Sequence, residues 1–149
     1  MRKRGFTLIE LLIVVAIIGI VAAIAIPNLI VAIQKSKQKA TMGDMKTIGI
    51  AVESYATDNY QAPANLSFGN NSNKRFYIKG ASETDSWGNS WHYTRENSIT
   101  QVYSIASSGR DNVFGGYDQT GIYIVSSLQD FNKDIIFSKG LFVYGPSIK

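Results

Sequence analysis

Few side chains in this 149-residue chain carry the chemistry of a reactive site, and they are scattered along it. His92 is the single histidine and there is no cysteine, which excludes a thiolate nucleophile, a disulfide framework and a two-histidine metal site. No Ser-His-Asp set assembles from what is left. Asp111, Asp118 and His92 could act as acid, base or ligand of an enzyme only if the fold brought them into one pocket. The more informative group is Glu10. It is the only charged residue between Phe6 and Ile33, and a carboxylate near the middle of an apolar membrane helix costs about 2.5 to 3.5 kcal/mol, less near its end. Such a group has a partner, snorkels to the headgroups, or serves the first helical turn, where the helix dipole favours negative charge.

The element that must position Glu10 is the apolar run itself. Residues 6–33 are long enough as a helix to cross the hydrocarbon core, which needs about 20 residues. A secretory signal has a shorter apolar region ending in a small-residue cleavage site, whereas here Ala22-Ala23 is followed by more hydrophobic sequence. Arg2, Lys3 and Arg4 favour an orientation with the N-terminus in the cytoplasm, against the weaker contrast of Lys35, Lys37 and Lys39. Those three lysines read as a solvated helix face rather than a lipid or nucleic-acid site. The net charge of +4 owes three units to Arg2, Lys3 and Arg4, leaving 12 basic against 11 acidic residues, so no specific nucleic-acid partner is expected. Pro27 removes one backbone donor inside the run and predicts a kink or local melting there.

Past Ile33 the pattern becomes amphipathic. Met45, Ile48, Val52 and Tyr55 recur at three- and four-residue spacing, while Lys46, Glu53 and Ser54 fall on the wet side. One helix is expected from about residue 6 to 57, ending near Asp58-Asn59 and before Pro63. Residues 61–86, including the run Gly69 to Asn73, read as a surface connection. Residues 91–94, 102–106 and 122–125 read as antiparallel strands, and 135–137 with 141–144 as a final hairpin turning at Ser138-Lys139-Gly140. The domain is therefore α+β, a helix packed on a small antiparallel sheet. Tyr77, Lys74 and Arg75 could meet phosphate, but this cluster reads as an ordinary exposed patch.

Three stretches carry a family resemblance. The sequence from Arg2 through Gly5, Phe6, Thr7, Leu8, Ile9 and Glu10 resembles the class III signal of type IV pilins and type II secretion pseudopilins. Asp85-Ser86-Trp87-Gly88-Asn89-Ser90-Trp91 resembles that superfamily's Asp-Pro-Trp-Gly-Asn-Pro-aromatic turn, with serine at both proline positions. Ser107-Ser108-Gly109-Arg110-Asp111-Asn112-Val113-Phe114-Gly115 resembles the calcium-binding loop of the major, G-type pseudopilins.

The resemblance implies a pilin fold divided into a leader (1–5), a transmembrane and assembly helix (6–33), an amphipathic helix half (34–58) and a globular β domain (59–149). It implies cleavage after Gly5 and methylation of Phe6 by a prepilin peptidase. A neighbouring subunit's Glu10 would meet the new Phe6 ammonium, and the helix would loosen around Pro27 as a homopolymer forms. The implied partners are an inner-membrane assembly platform, an assembly ATPase and minor pilins or pseudopilins. The chain lacks a Gly-x-x-x-x-Gly-Lys phosphate loop, so assembly energy comes from elsewhere. The implied location is the bacterial inner membrane, single-pass, then a periplasmic or cell-surface filament.

Calcium would be held by Asp111 with Asp134, Asp118 and Ser107. Lys133, Asn112 and the long insertion before Asp134-Ile135 depart from the family loop, so the metal site and a simple Asx-stabilised turn both stand. A secretion pseudopilin is the leading expectation, with a type IV pilus pilin used in adhesion, motility or DNA uptake beside it. An anchored enzyme or a ligand-binding minor tip subunit is the remote alternative.

Overall fold

The computed structural model describes residues 5–66, 77–78, 82–96 and 101–147. The basic leader positions 2–4, the Gly69 to Asn73 run, and Lys74 and Arg75 lie outside these. The chain divides into two units, residues 1–34 and 35–149. One helix, α1 (Leu8–Asn59), supplies most of the first unit and the opening element of the second.

In the first unit α1 is apolar on every side, and its large side chains are exposed, from Leu8 at 81% to Ile30 at 41%. Helical assignment runs through Pro27 without interruption, so the melting expected there is not present in the single chain. The reason is arithmetic. Proline removes one backbone donor, and the remaining bonds of a 52-residue helix continue on either side.

In the second unit the helix has a clear inside. Met45, Ile48 and Val52 are buried as their spacing requires, joined by Met42, Ala51 and Ala56, while Lys46, Glu53 and Ser54 are exposed. Each fully buried large side chain contributes about 1.5 to 3 kcal/mol of transfer free energy. Tyr60, in a left-handed conformation (φ 58°), follows the last helical residue in place of the usual glycine.

Facing this half of α1 is a five-stranded sheet in the order β1-β2-β4-β5-β3. The strands are β1 (His92–Arg95), β2 (Tyr103–Ser107), β3 (Gly121–Tyr123), β4 (Ile135–Ser138) and β5 (Leu141–Pro146). β1, β2, β4 and β5 pair antiparallel, with Ile105 opposite Phe137 and Ile136 opposite Tyr144. The expected antiparallel sheet is thus mixed: β3 lies parallel to β5 at the edge, Ile122 beside Gly145. Alternation within three residues shows a strand's faces but not the direction of its neighbour, and so could not reveal this. The β4–β5 turn is Lys139-Gly140, both with positive φ (49° and 80°), the signature of a type I′ hairpin matched to strand twist.

The core joins Met45, Ile48 and Val52 of α1 to Tyr103, Ile105, Ile135 and Phe137 of the sheet, with Trp87 and Trp91 packed at its border. Gly49 permits the approach: a β-carbon there would collide with the Phe137 ring. Gly49→Leu is expected to destabilise this unit by about 1 to 3 kcal/mol through overpacking. Gly43→Ala, whose β-carbon would meet nothing within 4 Å, should leave the melting temperature equal or higher; thermal unfolding of both in detergent checks this.

Candidate functional site

Two places collect the residues that the sequence singles out. The first is the start of α1. The Thr7 backbone N–H and hydroxyl donate to Glu10 Oε2 at 2.8 and 2.7 Å, and the Glu10 N–H donates back to Thr7 Oγ1 at 3.3 Å. This reciprocal pair is a capping box, and the pattern Thr-x-x-Glu before an apolar run is its sequence signature. Of the roles open to this carboxylate, the single chain thus shows the first-turn one, with the Thr7 partner given by the three-residue spacing. In the single chain Glu10 therefore satisfies the first turn of its own helix. Gly5 and Phe6 precede this turn and are exposed. Among the described residues, α1 is the one helix long and apolar enough to cross a membrane.

The second place is a hub around Asp85. One carboxylate oxygen accepts the backbone N–H groups of Trp87 and Asn89, both at 2.9 Å, and the other accepts the Ser107 hydroxyl at 2.6 Å. Gly88 takes positive φ (93°) to close the turn. Asn89 then donates to the Gly109 carbonyl at 2.6 Å, and the Gly109 N–H donates to Ser107 Oγ at 3.2 Å. The Ser86 N–H reaches Thr41 of α1 at 3.2 Å. Trp91 anchors the exit by donating from its indole to the Ser82 carbonyl. One buried carboxylate thus ties the aromatic turn, the end of β2 and the following loop together, with α1 joined through the adjacent residue.

The four residues nominated for calcium are differently placed. Ser107 uses its hydroxyl on Asp85 and Gly109. Asp111 is exposed and accepts the Val113 N–H at 3.1 Å, an Asx turn, with Asn112 left-handed after it. Asp118 is exposed. Asp134 is buried; its Oδ2 accepts the Gly115 N–H at 2.8 Å and the Gln119 side-chain amide at 2.6 Å, while its Oδ1 is buried without a hydrogen-bond partner. Among the described residues no three acidic or histidine side chains gather to hold a metal. His92 stacks on Phe114 (centroids 4.2 Å, planes 11° apart) and, among the described residues, joins no metal-holding group with Asp111 or Asp118.

A capped, wholly apolar half-helix that continues into an amphipathic half packed on a small sheet defines a pilin-like protein. Comparison with known proteins agrees. Residues 1–26 match the prokaryotic N-terminal methylation motif, and residues 28–125 match the family described as type II secretion system (T2SS), protein G. The chain belongs to that protein G family.

It is 32% identical over 132 residues to the type II secretion system core protein G of Pseudomonas aeruginosa, covering 78% of this chain and 90% of that protein. It is 30% identical to the corresponding Vibrio cholerae protein over 146 residues, 88% and 97% of the two chains. Identity to the type IV major pilin protein PilA of Myxococcus xanthus is 54% but spans 57 residues, 38% of this chain and 26% of the pilin. No solved structure matches the chain.

The Asp85 hub yields a direct test. Asp85→Asn keeps the shape but replaces one acceptor oxygen with a donor and removes the charge from buried hydrogen bonds. It is expected to cost about 2 to 3 kcal/mol, measured as loss of thermal stability in detergent, whereas the exposed Asp118→Asn should change stability by less than about 0.5 kcal/mol.

Proposed function

We propose that this chain is a structural subunit of a type II secretion pseudopilus and performs no catalysis. A prepilin peptidase removes the leader after Gly5 and methylates Phe6. The subunit waits in the inner membrane, N-terminus inward, until an assembly platform and its ATPase add it to a periplasmic filament begun by minor subunits. The observation that carries this reading is the largely exposed apolar half of α1, continuing into a helix half with a conventional core, in a chain that belongs to the protein G family. The likeness to a type IV pilin lies in a short stretch covering 38% of this chain, whereas likeness to protein G extends over most of it, which favours secretion over a surface pilus.

Within this reading Glu10 has two successive tasks. Before assembly it caps its own helix. After cleavage the new Phe6 ammonium of an adjoining copy is a cation in a water-poor interface, and Glu10 neutralises it at the expense of the Thr7 bonds. Glu10→Gln separates the tasks, since glutamine serves a capping box but carries no charge. Cells expressing Glu10→Gln are expected to process the chain normally yet yield few sheared filaments, while Gly5→Ala retains its leader by intact mass and yields none. Filament recovery at the wild-type level from Glu10→Gln would remove the charge-pairing role.

The unpartnered Asp134 oxygen supports a second reading, that the loop after β2 takes calcium. An orphaned buried acceptor is rare and calls for a donor or a cation. The side-chain set fits in part: Asp134 would hold the ion, loop carbonyls would supply further oxygens, and the Ser107 hydroxyl is already engaged. Calcium would cross-link the loop and strengthen the subunit. Millimolar calcium is expected to raise the melting temperature of the wild-type chain over chelator-treated protein and to leave Asp134→Asn unmoved; equal melting with and without calcium would rule this out.

A further inference from the structure

The C-terminal end of α1 combines a projecting ring with negative charge. Its last turn, Ala56 to Asn59, holds Asp58 and no basic side chain, so the carboxylate adds to the negative pole of the helix. The Tyr77 hydroxyl donates to Asp58 Oδ2 at 2.8 Å and fixes this carboxylate at the surface. Tyr60 follows, 81% exposed and held at positive φ (58°), a conformation uncommon for a bulky residue and one that gathers at functional sites.

A groove of opposite character lies in the same unit, between α1 and the β5–β3 side of the sheet, with a volume of about 660 Å³. Lys35, Lys39 and Lys46 rim it, and Met42, Ile124 and Phe142 give it an apolar surface. Lys46 extends over the Phe142 ring, its nitrogen 5.6 Å from the centroid. Gly43 leaves the wall open, since a β-carbon there would meet no atom within 4 Å. Among the described residues no acidic side chain lines the groove, and neither Lys35 nor Lys39 forms an ion pair. Lys37 lies outside it.

The two features are complementary but do not meet within one copy, because Tyr60 stands about 27 Å beyond Met42 along the helix. We propose that the tip of α1 in one copy seats in the groove of the next. The Tyr60 ring lies on Met42 and Phe142 with the Lys46 ammonium against its face, and Asp58 sits between Lys35 and Lys39. An aromatic anchor in an apolar trough, with charges paired at its rim, is the composition of an interface centre. The tip and the groove share no residue, so the contact is heterologous. Between parallel copies it recurs with an axial offset of about 27 Å and builds an open filament instead of a ring.

The contact presupposes that copies assemble in parallel, as the proposed function has them, and the test tells the two apart. A photo-reactive benzoylphenylalanine at position 60 is irradiated in filaments sheared from cells expressing the full-length chain. The expected product is a covalent dimer whose joined peptides link position 60 to Met42, Ile124 or Phe142. Dimers joined elsewhere, or filaments at wild-type recovery with no dimer, would overturn this contact and leave filament formation standing. A wild-type chain that yields no filament would remove both.

Variants separate the contact from folding. Tyr60→Gly relieves the positive φ, so its melting temperature in detergent should equal or exceed that of wild type, while filament recovery falls at least about fivefold, the scale on which an aromatic anchor acts. Lys39→Glu and Asp58→Lys should each lower recovery similarly, Lys37→Glu should not, and Lys39→Glu combined with Asp58→Lys should restore it. Wild-type recovery from Tyr60→Gly would overturn the proposal. So would a combined variant that melts as wild type does yet yields no more filament than either single change.

Discussion

An apolar helix with no protein surface over it cannot stand alone in water, and the rest of this molecule is arranged around that constraint. From Leu8 to Ile33 the large side chains of α1 are exposed apart from half-buried Val31, and among the described residues none covers the apolar stretch long enough to span a membrane. At about 25 cal/mol for each Å² of apolar surface, leaving so many aliphatic side chains in water is untenable for a marginally stable domain. On the proposed function lipid covers them first and other copies of the same helix cover them afterwards, since one apolar environment replaces another at little cost. That exchange lets one segment serve as both anchor and polymer core.

The second unit must then hold its shape without help from the first. Its helix half is amphipathic where the first is not, and the change falls near Lys35 and Gln38, the latter already buried. Packing of Met45, Ile48 and Val52 on β2 and β4 supplies the apolar energy, and Gly49 sets how closely the layers meet. Asp85 supplies order that apolar contact lacks. Its two oxygens fix the Trp87 turn against the end of β2, so loops that carry no regular structure of their own keep a fixed relation to the sheet.

The parts legible in the sequence were those governed by repetition. Three- and four-residue spacing revealed the buried face at Met45, Ile48 and Val52, and β-branched runs located four of the five strands to within a residue or two. The fifth, β3, was found but given the wrong neighbour direction, because pairing between Ile122 and Gly145 depends on residues far apart in the chain. The loop after β2 was harder still. Resemblance to the family loop nominates Ser107 among four possible calcium ligands, and its hydroxyl donates to Asp85, 22 positions earlier, a bond that only the folded chain brings about. Asp134 is another of the four nominees, and Gln119, which donates to it, carries no local signal. Glu10 stood out for its charge, and its nearest partner proved to be Thr7, three residues away.

The central claim is that other copies of the chain cover the apolar half of α1 once it leaves the membrane. The chain contains no cysteine, so a single cysteine can report on this without background. Filaments would be sheared from cells carrying either Ile17→Cys, in the apolar half, or Thr94→Cys, exposed on edge strand β1, and treated with a membrane-impermeant maleimide. The account predicts rapid labelling at position 94 and almost none at position 17 until the filament is dissolved in detergent. Labelling at position 17 as fast as at position 94 in intact filaments would show the helix uncovered and contradict it.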